Sequence, residues 1–127
     1  MTRTLIIIGL ALASCSKSEP AKPEHNASAV VNKDPATARK LIAGGATVLD
    51  VRTPEEYADG HVPSATNLLV QDVAQRIADV DKLVGGDKTK PVVVYCAKGG
   101  RAAKAKQALE AAGYTNVVNG GGFADLR

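Results

Sequence analysis

PVVVYCAKGGRAAKA, residues 91–105, is the stretch that decides the fold. Val92 to Tyr95 form a continuous apolar run, the pattern of a strand buried on both faces. The run ends in Cys96 and turns through Gly99-Gly100 into a segment where Ala102, Ala105, Leu109 and Ala112 share one helical face, stopped by Gly113. A buried strand passing within a few residues into a helix is half of a βαβ unit, so the flanking sequence should repeat the alternation.

It does so in both directions. Upstream, Asp34-Pro35 is an N-cap and first-turn pair; Ala38, Leu41 and Ile42 share a face, and Gly44 stands at the stop position. ATVLDVR, residues 46–52, then reads as a short strand rising to Asp50. Thr53-Pro54-Glu55-Glu56 has the spacing of a capping box and predicts a short helix through Tyr57. A second strand is expected over Ala65 to Leu68. Leu69, Val73, Ile77, Val80 and Val84 then recur at helical spacing, predicting one helix ended by Gly85-Gly86. Downstream, a last strand is expected around Asn116 to Val118. The expectation is therefore an α/β domain over residues 30–127, with a mainly parallel central sheet flanked by helices. There is no internal repeat.

The residues before this domain read differently. MTRTLIIIGLALASC places Arg3 ahead of an apolar segment from Leu5 to Ala13 that is too short to span a bilayer, the pattern of an export signal over residues 1–14. Leu12-Ala13-Ser14-Cys15 resembles the lipobox of bacterial lipoproteins, which implies that Cys15 becomes the lipidated first residue of the mature chain. Residues 15–29, with two prolines, mixed charge and no periodicity, read as a tether; His25 in it is expected to be solvated. Ser16 after that cysteine resembles the lipoprotein pattern for passage to the outer membrane, which implies a periplasm-facing lipoprotein of a bacterial cell envelope. The formal net charge is +3, and removal of Arg3 lowers it by one, a balance that exerts no strong pull on nucleic acid. With no tryptophan and one phenylalanine, the core must be built from Val, Leu, Ile and Ala.

If Cys15 carries lipid, Cys96 has no disulfide partner, and a lone thiol in an exported chain requires another role. Its position suggests one, because ligands of open parallel sheets bind beyond the carboxyl ends of the strands. Ala97, Lys98, Gly99, Gly100 and Arg101 offer consecutive amides ahead of a helix N-terminus, and the two glycines allow the positive φ that a ring of inward-pointing amides needs. Such a ring, flanked by Lys98 and Arg101, favours an anion, and the thiolate form of Cys96 is the anion at hand.

LDVRTPEEYADGHVPSATNL, residues 49–68, resembles the signature of rhodanese-type sulfurtransferases, and residues 92–122 resemble their active-site and C-terminal segments. The chain is most similar to small exported single-domain rhodaneses of the phage-shock type. The resemblance implies a rhodanese-like single domain in which Cys96 is the nucleophile and holds a sulfane sulfur as a persulfide. It also implies that the amides of residues 97–101 cradle that persulfide, with Lys98 and Arg101 attracting the sulfonate end of a donor such as thiosulfate. Cyanide or a thiol would be the acceptor, and neither a metal nor an organic cofactor is implied. Asp50, Arg52 and Glu56 occupy positions with scaffold roles; for Glu56 both the capping box and an ion pair with Arg52 are available. His61 matches a turn-fixing position. Two departures stand out: Ser64 replaces the usual glycine of its turn, and Leu126 stands where many relatives carry tryptophan.

Other functions are weighed against this one. Cysteine phosphatases and arsenate reductases of related fold place arginine six positions after the cysteine, whereas here that position is Ala102 and the arginine is 101. A lipid-anchored persulfide carrier or a redox-sensing thiol would use the same cysteine without rapid turnover, whereas the protein-binding modules of this fold usually lack it.

Overall fold

The computed structural model describes residues 32–127, so the expected signal, Cys15 and His25 lie outside the described residues. Helix α1 (Pro35–Ala43) opens on Asp34, whose Oδ1 accepts from the Thr37 amide at 3.0 Å, and it closes at Gly44. It is followed by strand β1 (Thr47–Asp50), helix α2 (Pro54–Ala58) and strand β2 (Ala65–Asn67). Helix α3 (Ile77–Leu83), strand β3 (Val92–Cys96), helix α4 (Gly100–Ala111) and strand β4 (Val117–Gly122) complete the alternation. The four strands form one wholly parallel sheet in the order β2-β1-β3-β4.

Because side chains alternate across a strand, β3 serves two cores at once. Val92, Val94 and Cys96 pack with Ala102, Ala105 and Leu109 of α4 and with Val80 and Val84. Val93 and Tyr95 face the other way, onto Ala38 of α1 and Val48. All five residues of β3 are buried, which explains why its sequence is apolar without alternation.

Two expected elements are corrected. The helix read from Leu69 to Val84 is interrupted: Val70–Asp72 is a 3-10 turn, and regular helix begins only at Ile77. The Asp72 carbonyl accepts from the amides of both Gln75 and Arg76, closing the chain on itself ahead of α3. Val73, Val80 and Val84 are buried all the same, so the apolar spacing reports core contact without requiring one continuous helix. The last strand, expected to stop at Val118, continues through Gly122. Its glycines mark close packing: a Cβ at Gly120 would come within 3.1 Å of Leu126, 3.2 Å of Ala38 and 3.3 Å of Val93. Leu126 thus packs beside the α1 core at the position where a tryptophan was noted as missing. Ser64 lies among described residues of which no non-glycine has a positive φ, so its turn has no need of glycine.

Under the carboxyl edge of the sheet lies a buried polar network. Asp50, fully buried, accepts from Arg52 Nη2 at 2.7 Å and from the Tyr95 hydroxyl at 2.8 Å. The same hydroxyl accepts from the Val62 amide at 3.0 Å, and Arg52 Nη2 also donates to the Gly60 carbonyl at 2.6 Å. Burial pushes the Tyr95 phenol well above its ordinary pKa, so the hydroxyl stays protonated and able to donate. Tyr95→Phe should therefore cost about 1–3 kcal/mol, because it strands the Val62 amide without a partner. Urea unfolding of the two proteins checks this, and a variant as stable as the parent would contradict it.

Candidate active site

The sulfur is placed by the register of β3. Cys96 is the last residue of the strand, at the carboxyl edge of the sheet, and is 1% exposed. Ala97, Lys98 and Gly99 then turn the chain, and α4 starts at Gly100. Gly99 takes the left-handed conformation with φ 104°, and its amide donates to Cys96 Sγ at 2.9 Å. Of the two glycines expected to adopt positive φ, only Gly99 does; Gly100 is already the first helical residue. Among the described residues, Gly99 supplies the amide that bonds to the reduced sulfur.

The charges around the loop are arranged differently from the expectation. Arg101, in the first turn of α4, is bound at both ends by Glu56, with Nη1–Oε1 at 2.8 Å and Nη2–Oε2 at 3.0 Å. The ion pair of Glu56 is thus with Arg101 and not with Arg52, because Asp50 already occupies the Arg52 guanidinium. Arg52 is further enclosed by aromatic rings, with its guanidinium carbon 4.8 Å from the centre of Phe123 and 5.6 Å from that of Tyr95. The other half of the Glu56 reading holds: its amide donates to Thr53 Oγ1 at 3.2 Å, and its Oε1 accepts from the Thr53 amide at 3.4 Å. Glu56 therefore ties the start of α2 to the start of α4. Lys98 is exposed and forms no ion pair among the described residues, so it is the free cation of the loop.

Hydrogen bonds from Arg101 hold the Glu56 carboxyl down at about 2, well below its ordinary value. The Arg101 guanidinium is shifted up, first by Glu56 and to a lesser degree by attraction to Cys96, against the opposing effect of burial. His61, expected as a turn-fixing residue, stacks on Tyr57 with ring centres 3.7 Å apart and places Nδ1 2.9 Å from the Tyr57 carbonyl.

Two residues near the loop were not anticipated. A Cβ at Gly122 would collide with the Ala97 carbonyl oxygen, so the end of β4 lies directly against the first peptide after Cys96. Asn119, 2% exposed, donates from Nδ2 to the Gly99 carbonyl at 3.1 Å. The signal in NGGG, residues 119–122, is ambiguous because the same residues commonly make a turn. Elsewhere, a cavity of about 410 Å³ lined by Lys40, Leu41, Leu83, Lys90 and Pro91 opens at the opposite edge of the sheet, away from the sulfur. No cluster of three or more His, Cys, Asp and Glu side chains able to hold a metal ion occurs among the described residues.

The fold and site together define an α/β domain with a wholly parallel sheet and a thiol at the carboxyl end of an inner strand, next to a helix N-terminus. The model of the rhodanese-like domain matches residues 34–125, and the chain belongs to that family. It is similar to thiosulfate sulfurtransferase PspE of Escherichia coli, with 41% identity over 78 residues, covering 61% of this chain and 71% of the relative. Thiosulfate sulfurtransferase GlpE of Pseudomonas entomophila is 37% identical over 90 residues, covering 70% of this chain and 77% of that one. Among solved structures, a rhodanese with anions from E. coli superposes with a TM-score of 0.56 at 40% identity, covering 62% of this chain and 88% of the other. The chain is a rhodanese-type enzyme, of the sulfurtransferase class.

The lowered pKa of Glu56 has a defined pH signature. A carboxyl that is more acidic in the folded state stabilises the fold above its ordinary value of 4.5 and loses that contribution as pH falls toward about 2. The stability gap between the parent and Glu56→Gln should hold steady near neutrality and close over this acid window. Its size will be modest, because the Glu56 side chain is 35% exposed and solvent screens the pair. Chemical denaturation of both proteins across pH checks this, and a gap that widens in acid would contradict it.

Proposed function

We propose that the enzyme takes a sulfane sulfur from a small anionic donor such as thiosulfate onto Cys96 and passes it to cyanide or a thiol. The observation that carries this reading is the Gly99 amide 2.9 Å from Sγ at the mouth of α4, in a loop with four residues between Cys96 and Arg101. An amide and a helix N-terminus aimed at sulfur stabilise the negative charge carried by the anionic persulfide.

In the first step the Cys96 thiolate attacks the outer sulfur of thiosulfate. The new S–S bond forms as the sulfur–sulfur bond of the donor breaks, and sulfite leaves with the electron pair. In the second step an acceptor anion attacks the terminal sulfur of the persulfide. Cyanide leaves as thiocyanate and the Cys96 thiolate is restored, so charge balances in both steps. Lys98, exposed and without an ion pair among the described residues, would meet the sulfonate of the donor, while Arg101 is held by Glu56 and shapes the loop. Asp50 and Arg52 support the carboxyl edge from below, through Tyr95 and the Gly60 carbonyl.

The near-complete burial of Cys96 also supports a second reading, that of a persulfide carrier which discharges slowly to small acceptors. After incubation with thiosulfate, the intact mass of the domain should rise by one sulfur atom. Cyanide should remove it, and Cys96→Ser should not acquire it; the rate of discharge separates enzyme from carrier. A folded parent protein that gains no mass would overturn the reading for this donor.

We propose the placement of the enzyme in the cell envelope, as an outer-membrane lipoprotein facing the periplasm, from the apolar segment Leu5 to Ala13, from Leu12-Ala13-Ser14-Cys15 and from Ser16. In a bacterial host the full chain should incorporate labelled fatty acid and partition into detergent, and Cys15→Ser should abolish both. Labelling that survives the substitution would refute anchoring at this residue.

A further inference from the structure

Asn119 is a costly residue for its position. It lies on β4 opposite Val94, on the face of the sheet where Val92, Val94, Cys96 and Val117 pack against α4. A primary amide buried among such neighbours destabilises the fold unless it is hydrogen-bonded, and leucine would fill the site more cheaply. Both ends of the amide are engaged. Nδ2 donates to the Gly99 carbonyl at 3.1 Å, and Oδ1 accepts from the Gly121 amide at 2.9 Å.

These partners are the two irregular points of the neighbourhood. Gly121, with φ 85°, lies where the register of β4 against β3 shifts between Val94 and Cys96. Gly99, with φ 104°, is the turn whose amide points at the sulfur. Glycine has the softest backbone of any residue, so the direction of the Gly99 amide depends on what holds its carbonyl. Two donors do: the Ala103 amide at 3.0 Å, which belongs to α4, and Asn119, which belongs to the sheet. The first ties Gly99 only to its own helix. The second ties it to the sheet that carries Cys96.

We propose that Asn119 is a positioning residue for the sulfur-binding loop, holding the Gly99 amide on Cys96 Sγ by way of the Gly99 carbonyl. Its effect on turnover rests on the reading of Cys96 as the sulfur carrier; its effect on loop geometry does not. Loss of the Asn119 donor leaves the Gly99 carbonyl paired with Ala103, so the start of α4 keeps that bond while the loop loses its reference to the sheet.

The test compares the parent domain with Asn119→Leu, similar in size and without donor or acceptor. In Asn119→Leu, hydrogen exchange at the Gly99 amide should quicken by about tenfold or more, while the amides of β3 keep their protection. The rate of persulfide formation at saturating thiosulfate should fall by about tenfold, since a single aimed donor has been misdirected. The half-saturating concentration should stay within about twofold, because Asn119 is 2% exposed and offers the sulfur donor no surface. Unchanged exchange at Gly99, or equal loss of protection throughout β3 and β4, would overturn the proposal. Should the leucine variant not fold, Asn119→Ala, which has no side-chain donor for Gly99, must show the same selective quickening or the proposal fails. If the parent takes up no sulfur yet Gly99 exchange still responds to Asn119, positioning stands and only the sulfur reading falls.

Discussion

Strand β3 is paired with β1 on one side and β4 on the other, and its side chains are buried on both faces. This double burial is the constraint on which the remaining structure depends. Every position of the strand must be apolar or fully bonded, and its direction must follow that of its neighbours. The first place where chemistry can appear is therefore its carboxyl end, where the ladder stops and amides become free. Cys96 occupies that place. One residue earlier, Tyr95 points to the opposite face and uses its hydroxyl to join Asp50 and the Val62 amide, stiffening the edge from beneath.

Two ion pairs serve the edge and differ in physical character. Asp50 and Arg52 are buried, so their desolvation must be offset by several hydrogen bonds at once, and they gain them from each other, Tyr95 and Gly60. Glu56 and Arg101 are each about one-third exposed and contribute less to stability. Their value is geometric: a bidentate pair of fixed orientation links the N-termini of α2 and α4, so the loop between Cys96 and α4 cannot drift independently of α2.

The loop is thus held from three directions. The sheet sets Cys96, the pair from α2 sets the start of α4, and β4 contacts the turn through Gly122 and Asn119. A rigid loop is what an anion-stabilising site requires, since an amide stabilises an anion only when it is aimed before the charge appears.

Much of this was legible in the sequence, because it depends on local patterns. The apolar run ending in Cys96, the Asp34 cap, the Thr53–Glu56 capping box and the glycine at 99 each have a nearby physical cause, and they determined the alternating α/β order and the location of the thiol. Three features were decided only by the tertiary structure, two of them because their partners are distant in sequence. Glu56 pairs with Arg101 across 45 positions because folding sets the starts of α2 and α4 side by side, while Asp50 claims Arg52 two residues away. The spacing from Leu69 to Val84 reported burial, and the backbone met it with a turn and a shorter helix. Asn119 and Gly122 are residue types that commonly make turns, and nothing local reveals that the Gly99 and Ala97 carbonyls lie against them; only the parallel pairing of β4 with β3 brings those groups together.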